Sequence, residues 1–140
     1  MRTLALTAAL LVGLSTSAFA GDAPKITGTW VPVSFTSAHD GTGGVFTDEA
    51  KPTFTTDPAE GWTLTIDTQE GPAFSGTGKG GPKKTAGALV GVFRMDGQHF
   101  VMATETGSAH GQLAGDQLEL CWEDNVPDLI AVGCAVYKRQ

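Results

Sequence analysis

Three turn-forming dipeptides, Asp96-Gly97, Thr106-Gly107 and Gly115-Asp116, follow one another within residues 96 to 116 and leave room only for short strands between them. Asp-Gly suits a type I′ hairpin and Gly-Asp a type II′ hairpin. Thr-Gly fits a two-residue loop less well than a three-residue loop with a bulge. If all three close two-residue hairpins, counting outward sets the register. Phe93 falls opposite Phe100, Gly91 opposite Met102, Phe100 opposite Leu113, and Leu113 opposite Leu118. One face then carries three rows: Phe93, Phe100, Leu113, Leu118; Gly91, Met102, Gly111, Leu120; and Leu89, Thr104, Ala109, Trp122. The other face collects Arg94, His99, His110, Gln112, Gln117 and Glu119. Strand side chains alternate with a period of two, so a slip of one residue would send these polar groups inward.

The rest of the chain reads the same way. Nineteen glycines and seven prolines interrupt it, and no stretch keeps apolar residues at helical spacing over three turns, which indicates an all-β fold. "GWTLTID" places Trp62, Leu64 and Ile66 on one face and leads through "TQEGP" into "AFSGTG". "GTWVPVSFTS" is a first strand in which Pro32 requires an edge or a bulge. Within residues 38–61, "GGVFTD" and "PTFTTD" are short strand candidates whose register stays open. About eight antiparallel strands joined by hairpins close most economically into an up-and-down barrel, because closure removes exposed edges. A β-sandwich is the alternative.

Residues 1–20 have the pattern of a signal peptide: Arg2, an apolar run from Leu4 to Leu14, and Ala18-Phe19-Ala20 before the expected cleavage. The run is shorter than the roughly 20 residues that span a bilayer, so no membrane insertion is expected after cleavage. Residues 21–140 are expected to form one domain in the periplasm or outside the cell. There, Cys121 and Cys134 are expected to pair, with "AVGCAVYKR" lying beside "QLELCWE" so that both cysteines face outward and Tyr137 inward. A reactive or metal-binding thiol pair would call for a closer spacing and a nearby base. Loss of the leader removes Arg2 and leaves eight basic residues against fifteen acidic ones. Such a surface repels phosphate backbones and argues against nucleic acid as a partner. Lys79, Lys83 and Lys84 sit among glycines and a proline, as in a solvated loop.

The cluster of Met95, His99, Met102 and His110 invites comparison with a soft-metal site. The counted register sends Met95 and Met102 inward and the two histidines outward. It also sets the histidines about four residues apart along the strand direction, roughly 13 Å. Ligands converging within about 2.5 Å of one ion do not fit this arrangement. The glycine-rich loop holding Asp40, Asp48 and Glu49 lacks the spacing of known calcium loops. Ser75 lacks the G-x-S-x-G setting of a hydrolase nucleophile, and no acid–base pair is fixed in a pocket. No motif implies a cofactor, and no catalytic residue can be nominated.

"ITGTWVPV" near the expected mature start, together with "YKR" at the end of the last strand, resembles the calycin pattern of lipocalins, avidins and intracellular lipid-binding proteins. The resemblance implies that Gly28 and Trp30 belong to the first strand and that Lys138 or Arg139 covers the indole, a contact of roughly 0.5 to 2 kcal/mol. No ligand-contact residue carries over, since the avidin tryptophan array does not map onto Trp62 and Trp122. An eight-stranded barrel has room for side chains or for one small ligand. The leading expectation is a binding protein with a small apolar ligand against Trp62, Phe93, Phe100, Met102 and Trp122. The competing one is a core filled by those same side chains. A different class remains open: a protein-interaction module, such as an exported protease inhibitor or envelope assembly factor. It would use an outer Val90, Val92, Val101 patch or the loops 38–61 and 79–87.

Overall fold

The computed structural model describes residues 23–41, 53–56, 62–80 and 85–140. The leader, the stretch "GGVFTD" with Asp48 and Glu49, and the Lys83-Lys84 pair lie outside the described residues. Nine strands follow one another: β1 (Gly28–Gly41), β2 (Thr53–Thr55), β3 (Thr63–Glu70), β4 (Ala73–Gly80), β5 (Thr85–Phe93), β6 (His99–Thr104), β7 (Gly107–Ala114), β8 (Gln117–Val126) and β9 (Leu129–Arg139). Eight of them form a closed antiparallel barrel in which each strand neighbours the next and β9 returns to β1. Short β2 is added to the end of β1, with Ala38 opposite Phe54.

Strand β1 closes the cylinder because it is long and irregular. Its beginning pairs with β3 through Gly28 to Trp30, while Trp30 to Gly41 pairs along β9. The β1–β9 register shifts between Pro32 and Ser34. A proline cannot donate to the ladder, and the bulge bends the strand at the place where the sheet curls shut. Beyond the bulge, Phe35, Ser37 and His39 are the buried positions of β1.

The counted registers hold for two of the three later hairpins. Phe93 faces Phe100 and Gly91 faces Met102, and Leu113 faces Leu118 and Ala109 faces Trp122. The first of these turns differs in kind from the expectation. Only Gly97 takes a positive φ, the Gly97 amide donates to the Arg94 carbonyl at 3.0 Å, and the Asp96 carboxylate accepts from the amides of Gln98 and His99 at 2.9 Å each. This is a four-residue loop built on a type I turn rather than a type I′ pair.

The middle hairpin is a correction. Phe100 faces Gly111 and Met102 faces Ala109, two residues from the counted pairing. The Thr104 hydroxyl accepts from the amides of Thr106 (3.3 Å) and Gly107 (3.1 Å), which makes Glu105-Thr106 the loop and draws Gly107 into the strand. A shift of two preserves sidedness, so inside and outside are unchanged. Met95 is also corrected: it lies in the turn and is 72% exposed, not on the apolar face.

One end of the barrel is sealed. Trp30 is fully buried, and its indole N–H donates to the Ile26 carbonyl at 2.9 Å. The Gln69 side chain accepts from the Ile26 amide and donates to the Pro24 and Gly71 carbonyls, tying the segment before β1 to the β3–β4 hairpin. Phe74, Phe93 and Phe100 fill the space above, with ring centres 5.5 to 5.7 Å apart and steeply inclined planes. Such edge-to-face contacts suit the aromatic quadrupole. Gly91 and Gly111 make room for them, since a Cβ at either position would fall within 2.2 Å of a phenyl ring.

Candidate functional site

Towards the other end the described residues leave the interior unfilled. A cavity of about 230 Å³ opens there. Its walls are inward residues of six strands: Leu64 of β3, Leu89 of β5, Met102 of β6, Ala109 of β7, Leu120 of β8 and Tyr137 of β9. The hollow has an identifiable cause. Leu64, Gly78 and Gly87 share one cross-strand row, and a Cβ built on either glycine meets nothing within 4 Å. At Gly91 and Gly111 the missing side chain is replaced by a phenyl ring, whereas at Gly78 and Gly87 it is replaced by space.

Two indoles border the cavity. Trp62 lies on Gly80 and Trp122 on Gly133, each so close that a Cβ on the glycine would overlap the ring. The indoles are nearly parallel, at 28°, with centroids 6.4 Å apart. Phe35 touches both, at 5.7 and 5.2 Å. Trp122 pairs directly with Gly133, and the next pair along is Cys121–Cys134, which forms a disulfide. The covalent link on the outer face therefore braces the wall that carries Trp122.

Polar groups occur at two depths. Inside, Tyr137 is 5% exposed, and burial pushes its phenol pKa up to about 12. The hydroxyl stays protonated at neutral pH and is a hydrogen-bonding group in an apolar setting. At the rim, the Thr106 hydroxyl donates to Asp124 Oδ1 at 2.7 Å, and Glu105 Oε1 lies 3.5 Å from the Ala88 amide. Lys79 also borders the cavity but occupies an outward register position opposite Thr63.

The structure brings together three of the five residues nominated from sequence: Trp62, Met102 and Trp122 line the cavity. Phe93 and Phe100 belong instead to the packed phenyl cluster at the sealed end. The sequence reading left out Leu64, Leu89, Leu120 and Tyr137 as lining, although their inward direction followed from alternation. It did not single out Gly78, Gly87, Glu105 or Asp124, which no motif marks. The expected cover over Trp30 is Arg139, whose guanidinium carbon is 4.5 Å from the ring centre, and a Cβ on Gly28 would rest against the Arg139 stem.

His99 and His110 stand apart from the cavity. His99 Nδ1 is 2.8 Å from Asp96 Oδ2, and both side chains are about half exposed. His110 faces Val101 across the ladder, which places it two residues from His99, roughly 7 Å along the strands. This is half the separation counted from sequence, and buried Met102 still points to the opposite side. Among the described residues, no helix is long and apolar enough to cross a membrane. Compared with family models, curated proteins and solved structures, the chain finds no match.

Proposed function

We propose that this chain is an exported, calycin-like binding protein that holds one small apolar molecule in the open half of its barrel. The observation that carries the reading is the contrast among inward glycines. Gly80, Gly91, Gly111 and Gly133 are each covered by an aromatic ring, and Gly78 and Gly87 are bare. A cavity of about 150 Å³ lined by aliphatic side chains suffices for benzene, so 230 Å³ has room for a one- or two-ring molecule. The Trp30–Arg139 closure supports the calycin-like reading, and the disulfide supports an oxidising compartment.

Native mass spectrometry of the protein purified from its own host tests the proposal. The expected result is a retained small-molecule mass that disappears in Gly78→Leu, a variant whose side chain grows into the cavity. Absence of any retained mass, together with no uptake of small aromatic probes, overturns it.

A second reading, a protein-interaction module such as an exported protease inhibitor or envelope assembly factor, is supported by apolar side chains on the outer wall. Val90 and Val92 are 59% and 42% exposed, and Val92 pairs with Val101. A stoichiometric protein mass in the same spectrum would favour it.

A further inference from the structure

Resting on the cavity reading above, we infer that the ligand is a cation: a flat apolar body carrying a single ammonium group directed at the rim. Three observations converge. The first is charge placement. Asp124 stands at an inward register position of β8, opposite Gly107 and Ala131. Its Oδ1 is held by the Thr106 hydroxyl, which leaves Oδ2 for another partner. Glu105, in the neighbouring β6–β7 loop, adds a second carboxylate to the same rim. The sole basic residue bordering the cavity among the described residues, Lys79, sits at an outward register position. A desolvated anion would therefore meet two negative charges at the entrance, and a cation would be paired there.

The second observation is the wall. Indole rings are the best aromatic partners for a cation, and Trp62 and Trp122 both lie close against glycines beside the cavity. The same rings receive a flat hydrocarbon body by stacking. The third is the depth of the polar groups. The inner hydroxyl of Tyr137 is uncharged, so among the described residues none within the apolar part offers a full charge to a ligand. The charged end of a bound molecule is directed outward to Asp124 and Glu105.

Three probes that share one bicyclic body test the inference: 2-naphthylmethylammonium, 2-naphthylmethanol and 2-naphthoate. Their binding to the mature protein is measured by calorimetry and by tryptophan quenching at low and high salt. The ammonium is expected to bind at least tenfold tighter than the alcohol, and the carboxylate weakest. The ammonium-to-alcohol ratio is expected to fall as salt rises, because the rim is partly screened. In Glu105→Gln/Asp124→Asn the ratio is expected to approach one, and the alcohol titrated into the same sample reports whether the cavity is intact. The single variant Glu105→Gln, changed at an exposed loop position, gives a second reading with an intermediate ratio. An alcohol or carboxylate that binds as tightly as the ammonium overturns the cation assignment and leaves the cavity reading standing. So does a ratio that survives the double substitution. Failure of all three probes to bind overturns both.

Discussion

Arg139 covers Trp30 from the last strand: its guanidinium carbon sits 4.5 Å from the ring centre while Nη1 and Nη2 donate to the Thr27 and Lys25 carbonyls at 2.7 Å each. One side chain thus stacks on the buried indole and fastens the segment leading into β1. Arg139→Ala is expected to cost about 1 to 3 kcal/mol, from the lost cation–π contact and two lost charge-assisted hydrogen bonds. Arg139→Lys should recover less than half of this, because an ammonium lacks the planar fork that reaches both carbonyls. Urea denaturation of the three proteins checks both statements.

Inward glycines should respond to alanine in two different ways. In Gly111→Ala the new methyl falls 2.0 Å from Phe100 Cζ, and overpacking of this kind costs about 1 to 3 kcal/mol. Combining it with Phe100→Leu should cost less than the two separate losses together, since the residues share one space. Gly78→Ala meets nothing and should stay within about 0.5 kcal/mol of the parent. Equal penalties at the two glycines would contradict the packed and hollow halves described above.

The Cys121–Cys134 bond closes a loop with a sequence separation of 13. In the chain-entropy view, cross-linking so short a segment contributes about 3 kcal/mol. The double variant Cys121→Ala/Cys134→Ala should therefore unfold at lower urea concentration than the oxidised parent. Reduced parent protein should match the variant.

Two groups give the pH dependence a definite sign. Tyr137 is the single tyrosine of the chain, so absorbance near 295 nm reports on it alone. Its folded pKa of about 12 lies above the ordinary 10. The associated stability is complete below pH 10 and is lost as the pH rises towards 12. Asp96 behaves oppositely: amide hydrogen bonds from Gln98 and His99, then the His99 ring, hold its carboxyl down to about 2. Its contribution is present above the ordinary value of 3.8 and is lost as the pH falls to 2. Carbon-detected titration should place the Asp96 midpoint near 2. In Asp96→Ala, the loss of stability on acidification from pH 4 to 2 should be shallower than in the parent.

Much of the barrel was legible because its strands alternate cleanly. The pairs Phe93–Phe100 and Leu113–Leu118 follow from counting between turns, and Cys121–Cys134 follows from the pairing expected of two cysteines in an oxidising compartment. The middle hairpin slid by two because a threonine hydroxyl can cap a loop as effectively as a glycine can make one, and dipeptide preference alone does not weigh Thr104 against Gly107. Sidedness survived, and with it the inward direction of Trp62, Met102 and Trp122. Depth along the barrel was not legible. Phe93 and Met102 belong to the same inner surface, and only the meeting of Phe74, Phe93 and Phe100 from three strands decides which end is plugged. Such a meeting depends on ring orientation across neighbouring strands, which alternation does not encode.

Closure by the β1–β9 seam has a kinetic consequence. Trp30 is opposite Arg139 and Gly41 opposite Leu129, so the first strand cannot acquire its main neighbour until the last strand has arrived. Topologies dominated by such remote pairings fold on the millisecond-to-second scale rather than in microseconds. A chain shortened to end before Leu129 would keep two raw borders, β1 and β8, and self-association through them is the expected fate. The final eleven residues of the ladder thus act as the latch that turns an aggregation-prone ribbon into a cylinder without that open seam.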